Sequence, residues 1–401
     1  MTCQSDPVRV AVVGLGMAGA TLACLLADRG VEVVVLEQED DPRPVGAGIW
    51  LQEMGQQVLD RLGLLGALRA QSREVSRVDI RTSTGRRLVD ASYADVPGSV
   101  PALGVHRGTL FSLLLSDVRR RGVPIELGVP VTGVRPVADG LAVETRHGDH
   151  GSYDLVIGAD GSRSRVRQSM GVTVRDHPYD YGALWTIVDD PEGLCADELY
   201  QCLRGTRHYL GVLPTGLGQV SVFWSERGPD MEGVLARGLP AWRDAARPLA
   251  GPMAPLLDRV DHLLPGSYRD VVVRTPYRVA GRAAAVLVGD AAHAMSPQLG
   301  TGTSLALADA WTLHHALATA PSLPAALEQY AAARAAHVRW YQWWTRLMMP
   351  VFQSGLTPLA WPRDLLAPHV MKVPGVRRQL VTTLAGNRTS PWSTWPLPDL
   401  P

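Results

Sequence analysis

Three glycines near the start of the chain, Gly14, Gly16 and Gly19, have the spacing of a dinucleotide-binding turn. They follow an apolar stretch, 8–13, that is typical of a strand buried on both faces, and they open a helix predicted over 18–29. In such a turn the first glycine makes the bend, the second lets a pyrophosphate approach the backbone, and the third allows close helix–strand packing. A side chain at Gly14 is therefore expected to enter the pyrophosphate space.

Glu37 ends a second buried strand, predicted over 31–36, and lies 18 residues beyond Gly19. A carboxylate in that position accepts a hydrogen bond from a ribose hydroxyl. Because strand, glycine turn, helix, second strand and acid all occur in the expected order, the sequence predicts a dinucleotide site. The alternative is a tight turn that holds no ligand.

Two later segments also end a buried strand in a glycine and an aspartate. The first reaches Gly158 and Asp160, and the second reaches Gly289 and Asp290. Both place a carboxylate at the carboxyl end of a strand, where open α/β sheets bind ligands. After Asp290, two glycines at 300 and 302 open a long helix, and the free amides there could hold an anionic or carbonyl-rich ring.

Several polar residues beside these motifs allow two interpretations. His293 either contacts a cofactor or substrate or is a hydrogen-bonded structural histidine, and the structural role is favoured. Asp160 and Arg163 either meet a cofactor or pair with each other to brace a loop. Arg43 either reaches a cofactor or is a solvated loop residue.

Aromatic residues alternate along predicted strands in the middle of the chain and could line a substrate pocket. The substrate candidates are Tyr181, Trp185, Tyr209 and Trp224. Ordinary sheet packing of amphipathic rings is the alternative for each of them.

A tryptophan-rich stretch stands near the end of a long predicted helix. Trp340, Trp343 and Trp344 have i, i+3, i+4 spacing and share one helix face, and Pro350 is expected to end the helix. Core packing is the favoured explanation of this face, and a lid over a substrate cavity is the alternative.

Composition excludes several classes of protein. Lys+Arg and Asp+Glu are both 39, so no basic excess favours nucleic acid or an anionic membrane surface. Lys372 is the single lysine, and the four cysteines include no pair with zinc-ligand spacing. No apolar window is long enough to span a membrane, and the N-terminus does not resemble a signal peptide. These features predict a cytoplasmic protein with reduced cysteines, no metal and no nucleic-acid partner, either a monomer or a homodimer.

The predicted elements alternate between α/β and β-rich regions, so the domains are expected to be interleaved. The first domain comprises 1–74, 104–174 and 276–345, and a β-rich substrate domain comprises 75–103 and 175–275. Residues 346–401 are expected to form a C-terminal tail that is helical or irregular. Its many prolines predict irregular structure from about residue 350.

In their order and separation, the three motifs resemble those of the single-component FAD-dependent aromatic hydroxylases, whose fold is similar to that of p-hydroxybenzoate hydroxylase. The segments Val45–Ile49 and His106–Leu110 share the resemblance, which covers about 8–345. Departures from the family pattern are Glu53-Met54 in place of Pro-Asn, Thr301 in place of glutamine, and Ala308-Asp309 in place of Glu-Asp.

The resemblance implies roles for residues along these motifs. Arg107 would contact FAD, Asp290 would bind its ribityl or phosphate region, and 297–302 would line the flavin ring. The flavin-edge candidates are Pro297, Gly300 and His293. The residues predicted to bind the cofactor are Gly14, Gly16, Met17, Ala18, Gly19, Glu37, Gln38, Gly48, Arg107, Val131, Asp160, Asp290, Gly300, Gly302 and Thr303.

The sequence therefore predicts an α/β fold, with a Rossmann-like FAD-binding domain, an interleaved β-rich substrate domain and C-terminal helices. The resemblance implies a monooxygenase in secondary metabolism that holds FAD non-covalently and takes electrons from NADH or NADPH. Through a flavin C4a-hydroperoxide it would hydroxylate or epoxidise a hydrophobic aromatic or polycyclic molecule with O2.

Three other functions are alternatives. They are an FAD-linked oxidase or dehydrogenase without oxygen insertion, a non-catalytic flavin-holding metabolite-binding protein, and a flavin-dependent halogenase. The halogenase is disfavoured because Lys372 lies in the tail and the chain has no Trp-x-Trp-x-Ile-Pro segment.

Overall fold

The structure is a computed structural model that describes residues 8–42, 47–373 and 375–399. The strands are β1 (Arg9–Val13), β2 (Glu32–Leu36), β3 (Gly48–Leu51), β4 (Arg73–Val75), β5 (Arg77–Thr82), β6 (Arg87–Ser92), β7 (Ala102–His106), β8 (Ile125–Glu126), β9 (Val131–Val137), β10 (Gly140–Thr145), β11 (Gly148–Tyr153), β12 (Leu155–Gly158), β13 (Thr173–Pro178), β14 (Tyr181–Asp189), β15 (Glu198–Arg204), β16 (His208–Gly216), β17 (Gln219–Arg227), β18 (Leu264–Gly266), β19 (Arg269–Val273), β20 (Tyr277–Ala280) and β21 (Ala283–Leu287).

Helices connect and cover these strands. They are α1 (Met17–Ala27), α2 (Glu53–Arg61), α3 (Leu65–Arg69), α4 (Arg107–Arg120), α5 (Arg165–Met170), α6 (Met231–Ala236), α7 (Gly238–Ala250), α8 (Ala254–Leu257), α9 (Asp290–His293), α10 (Gly302–Thr319), α11 (Leu323–Phe352), α12 (Ala360–Val370) and α13 (Val376–Leu384).

A six-stranded sheet in the order β20–β21–β12–β1–β2–β8 is the centre of the α/β part of the molecule. All its neighbours are parallel except β20 and β21. Successive β1 residues such as Ala11 and Val12 are fully buried because each face of the sheet has its own apolar cluster. Helices α1, α4 and α10 pack on one face, and β9, β10 and α5 pack on the other.

A seven-stranded mixed sheet forms the β-rich part, in the order β18–β14–β17–β16–β15–β5–β6. Neighbouring strands are antiparallel except for β15 and β5, which are parallel. This pairing joins two segments that are far apart in sequence. Smaller sheets, β3–β7–β4, β9–β10–β11 and β13–β19, complete the fold. The predicted α/β fold class, with its interleaved β-rich region, is confirmed.

The C-terminal segment departs from prediction. The irregular region expected after about residue 350 contains two helices, α12 and α13, and α11 continues through Pro350 to Phe352. A proline within the last turn removes a single backbone hydrogen bond, so it ends the helix only two residues later. Helix α12 escaped prediction because Pro362 and Pro368 obscured its apolar periodicity, and α13 because it is only nine residues long.

The cysteines and the helices agree with the composition. Cys24, Cys195 and Cys202 are buried free thiols, and Cys3 lies outside the described residues. None of the helices in the described ranges combines the length and apolarity that a membrane span requires.

Candidate active site

A cavity of about 450 Å³ lies between the carboxyl ends of the parallel strands and one face of the seven-stranded sheet. Its glycine-rich end is formed by the starts of α1 and α10 together with Gly48, Arg107 and Asp290. Its apolar end is formed by β-sheet side chains and by α11 and α13. The volume is typical of a small-molecule site.

The three glycines of the first motif play different roles in this geometry. Gly14 has φ +99°, and a Cβ there would lie 2.6 Å from the carbonyl oxygen of Ala159. A Cβ on Gly19 would collide with the carbonyl oxygen of Gly14, whereas a Cβ on Gly16 would have no neighbour within 4 Å. The expectation that a side chain at Gly14 enters the pyrophosphate space is therefore wrong, and Gly16 is the residue that opens into the cavity, beside Met17 and Ala18.

Glu37 supports the glycine turn from behind. Its carboxylate accepts hydrogen bonds from the amides of Leu15 (2.7 Å) and Glu39 (3.1 Å). The neighbouring Gln38 is exposed and donates to the Glu39 carboxylate. Neither Glu37 nor Gln38 lines the cavity.

The third motif supplies the opposite wall of the glycine-rich end. Asp290 begins α9, directly after β21 and Gly289, and is exposed to the cavity. A 3₁₀ turn over Pro297–Leu299 leads to Gly300 in the left-handed conformation (φ +61°). Gly302 starts α10, and a Cβ there would have no neighbour within 4 Å. Pro297, Gly300, Gly302 and Thr303 all line the cavity.

Asp160 caps a helix and does not face the cavity. It accepts hydrogen bonds from the Ser164 hydroxyl (2.5 Å) and from the amides of Arg165 and Val166. Burial raises its pKa, although these hydrogen bonds oppose the shift. The predicted pairing with Arg163 is not observed, and Gly161 is the residue of this motif that lines the cavity, beside Ala159. Val131 packs against the outer apolar cluster of the parallel sheet.

His293 belongs to a buried polar network and does not line the cavity. Its Nε2 lies 2.6 Å from Asp309, which also accepts from the Gly289 amide (2.7 Å) and from Arg334 (2.6 Å). Burial alone would raise the pKa of Asp309, but His293 and Arg334 hold it well below its usual range. Arg334 also donates to His337, which in turn donates to the carbonyl oxygen of Gly386. This network, rather than a flavin contact, is what the structure shows for His293.

Alternation along the seven-stranded sheet decides which aromatic side chains reach the cavity. Odd-numbered residues of β14 to β17 face it, and Trp185 and Tyr209 are among them. Trp224 points to the other face, where it packs against α6 and α7. Tyr181 has the parity of Trp185 but is buried outside the cavity lining, near Gly355.

Several residues that line the cavity were not predicted from the sequence. These are Gln201, Phe223, Tyr268, Met348, Phe352, Gln353, Leu380 and Leu384. Phe223 and Gln201 could have been found from strand parity once one lining residue of the sheet was known. The four apolar residues of α11 and α13 gave no signal of their own because apolar helix residues usually belong to the core.

A few hydrogen-bonding groups interrupt the apolar end of the cavity. Tyr209 and Tyr268 bring phenol groups to this end, and burial raises the pKa of both so that they are neutral. On the opposite side Gln298 donates to Gln353 (2.8 Å). Among the described lining residues, Arg107 and Asp290 carry the only charged side chains, and both are at the glycine-rich end.

The tryptophans of α11 lie outside the cavity. Their rings pack on one another with centroids 5.0–6.2 Å apart. Trp340 and Trp344 pack against the cluster that surrounds the cavity, whereas Trp343 is 53% exposed. Arg43, Val45 and Gly46 lie outside the described residues.

A family model described as "FAD binding domain" matches residues 7–342. The chain is 31% identical over 395 residues to the ubiquinone hydroxylase UbiL of Rhodospirillum rubrum, covering 91% of this chain and 86% of that protein. It is 30% identical to the aurachin C monooxygenase/isomerase of Stigmatella aurantiaca, covering 81% of this chain and 84% of that protein. The chain belongs to the single-component FAD-dependent monooxygenases.

The fold of this monooxygenase is also that of a solved structure. Klebsiella pneumoniae HpxO, complexed with FAD and uric acid, superimposes with a TM-score of 0.79 at 23% identity, covering 94% of this chain and 97% of that chain. The cofactor of the family is FAD, and the glycine-rich end suits it. Two helix N-termini open there at Gly16 and Gly302 without a Cβ to obstruct them, and Arg107 supplies a cation.

Proposed function

We propose that this monooxygenase uses O2 and NADH or NADPH to hydroxylate or epoxidise an uncharged, hydrophobic aromatic molecule in secondary metabolism. The observation that carries the proposal is the two-part cavity, with helix N-termini and a cation at one end and apolar and aromatic walls at the other. FAD, when bound non-covalently at the glycine-rich end, would pass the electrons of NADH or NADPH to O2 and so activate it.

The cofactor residues would act together at the glycine-rich end. The backbone at Gly16 and Met17 would hold the pyrophosphate, with Arg107 as its cation. Asp290 would accept hydrogen bonds from the ribityl chain, and the turn from Gly300 to Thr303 would face the flavin ring. Glu37 would fix the glycine turn through the Leu15 amide, and its remaining lone pairs would be available to a ribose.

The apolar end would bind the substrate and exclude water. Phe223, Met348 and Phe352 would enclose an aromatic ring, because their apolar surfaces meet in the cavity. The hydroxyls of Tyr209 and Tyr268 would hold a polar substituent of the ring. No cation lies among the described residues of this end, so a carboxylate would be desolvated without a partner and rejected.

The relatives support this class of substrate. One relative is named a ubiquinone hydroxylase, and another is named an aurachin C monooxygenase/isomerase. A Rhodococcus erythropolis protein that is 28% identical is called a putative 2-heptyl-3-hydroxy-4(1H)-quinolone synthase. An uncharged quinone or quinolone with an apolar substituent would fit an apolar cavity that has a few neutral hydrogen-bonding groups.

The division into domains is part of the same proposal. Residues 1–74, 104–174 and 276–345 would bind FAD, and 75–103 with 175–275 would bind the substrate. The C-terminal helices would add Met348, Phe352, Leu380 and Leu384 to the wall.

Turnover with isotopically labelled O2 tests the proposal. The purified protein, NADH or NADPH and a set of uncharged quinones and quinolones are incubated, and the products are read by mass spectrometry. One labelled oxygen atom in the product is expected, and matched carboxylated analogues are expected to be inert. NAD(P)H consumption without label in any product would indicate an oxidase or dehydrogenase instead, and no consumption would indicate a binding protein.

A further inference from the structure

The outer surfaces of α11 and α12 are unusually apolar. Trp343 and Leu347 project from α11, and Trp361, Leu365 and Leu366 project from α12. Trp392 projects from the turn between Arg388 and Thr394, and we call the exposed apolar residues of α11, α12 and this turn the C-terminal apolar face. Trp361 is 73% exposed and Trp392 is 86% exposed, although folded proteins seldom leave such large rings in water together.

The exposure of α12 follows from how it packs. Arg363 and Ala367 lie on its inner side, where the Arg363 guanidinium donates to the carbonyl oxygen of Gly205 (3.0 Å) and Ala367 joins the cluster around the cavity. Trp361 and Leu365 are on another side of the helix because neighbouring residues are 100° apart. The helix thus turns an apolar side toward solvent, the reverse of an ordinary surface helix.

Trp392 stands at the tip of a short, well-connected turn. Arg388 and Thr394 form a β-bridge beneath it, and the Trp392 amide is hydrogen-bonded to the Ser390 hydroxyl. Gln379 of α13 donates to the carbonyl oxygen of Pro391 (3.0 Å). The backbone of this turn is therefore held in place by hydrogen bonds, whereas the Trp392 ring extends into solvent.

The segment that carries this face is strongly basic. Residues 329–398 contain eight basic residues and a single acidic one, Asp364, although the whole chain has a net charge of zero. Arg334 and Arg363 are buried, so six of the eight basic residues can face solvent. Arg339, Lys372 and Arg378 form no ion pair with any residue that the structure describes. Two such surfaces would repel each other in a dimer, whereas an anionic surface would attract this one.

We propose that the C-terminal apolar face docks on the surface of an anionic phospholipid bilayer. Tryptophan rings favour the boundary between headgroups and hydrocarbon, and arginine and lysine side chains bind lipid phosphates. The protein would lie on the bilayer without spanning it, because no helix among the described residues is both long and apolar enough to cross a membrane. The inner sides of α11 and α13 line the cavity with Phe352 and Leu380, so docking places the cavity wall beside the lipid. Docking on the bilayer does not depend on which reaction the protein catalyses.

Vesicle flotation of the full-length protein tests the docking. Vesicles of phosphatidylcholine mixed with phosphatidylglycerol are compared with vesicles of phosphatidylcholine alone. The protein is expected to float with the anionic vesicles, less so at high salt and only weakly with the neutral ones. The double variant Trp361→Ser/Trp392→Ser should bind the anionic vesicles about tenfold or more weakly, because it lacks the two rings that would enter the lipid surface.

Leu217→Asn is the matched control. Leu217 is 70% exposed on the β16–β17 turn, away from the C-terminal segment, so its loss should leave flotation unchanged. Circular dichroism and bound flavin should be the same in all three proteins because the altered side chains are exposed. Absence of flotation, or equal flotation of the double variant, would overturn the proposal. So would a dimer in sedimentation analysis that the double variant abolishes, since a second copy would then be the partner.

Discussion

Gly14 and Gly16 are two residues apart, yet a side chain would have different consequences at each. Gly16→Val should abolish FAD binding and leave the fold intact, because its Cβ enters only the open cavity and its backbone suits any residue. Gly14→Val should instead destabilise the protein by about 1–3 kcal/mol, because φ is positive and Ala159 is in the way. Flavin absorbance and the melting temperature of the apoprotein distinguish the two. A Gly16→Val protein that retains its flavin would contradict the assignment.

Asp290 offers a second test at the scale of single residues. Asp290→Ala should weaken FAD binding by about ten- to a hundredfold, the effect of losing a hydrogen bond to a charged acceptor. The fold should survive because the buried contacts of this turn involve Gly289 and Asp309. Fluorescence titration of the apoprotein with FAD measures the change, with Asp261→Ala at an exposed surface position as the control. Equal affinity of the Asp290 variant would remove this residue from the site.

Helix α11 shows how neighbouring turns of one element can differ in function. Phe352→Ala should raise the apparent substrate KM and the yield of hydrogen peroxide, because an enlarged cavity holds the substrate loosely and admits water. Trp343→Ala should change neither value, since the ring is outside the cavity. Coupling of NAD(P)H consumption to product measures the difference. If Trp343→Ala uncouples the reaction as strongly as Phe352→Ala, the tryptophan face is a lid after all.

The elements that could be predicted are those whose partners are near in sequence. The first strand, helix and second strand followed from apolar runs and glycine spacing, and glycine spacing also indicated Gly16 and Gly302, which line the cavity. The direction of Trp224 could not be predicted, because strand alternation gives two faces but not which one the cavity occupies. The pairing of β15 with β5 and the apolar contribution of α13 depend on tertiary packing that no local pattern encodes.

The whole molecule should lose stability in mild acid. Burial, assisted by nearby arginines, lowers the pKa of His314 to about 4 and that of His337 well below its usual range. Below about pH 6.5 the unfolded chain binds protons at both residues that the folded chain does not, so the free energy of unfolding falls. For His314 the loss is complete near pH 4.

Melting temperatures recorded from about pH 7 to pH 4.5 measure this dependence. His314→Gln should flatten it, whereas His262→Gln, at an exposed residue, should leave it unchanged. A wild-type protein with a constant melting temperature over this range would show that neither buried histidine is held neutral by the fold.

The strand order of the parallel sheet has a consequence for how the protein is made on the ribosome. β1 pairs with β12, and β12 pairs with β21, which ends at Leu287. At about 5–20 residues per second, roughly 250 residues must follow β2 before that last strand emerges, which takes on the order of ten seconds to a minute. During this time one edge of the growing sheet lacks its permanent neighbour, first the edge of β1 until β12 is made and then the edge of β12 until β21 is made, and the apolar side chains there are open to wrong partners. Nascent chains of this protein should therefore engage chaperones until translation passes β21, and slower translation should lengthen that engagement.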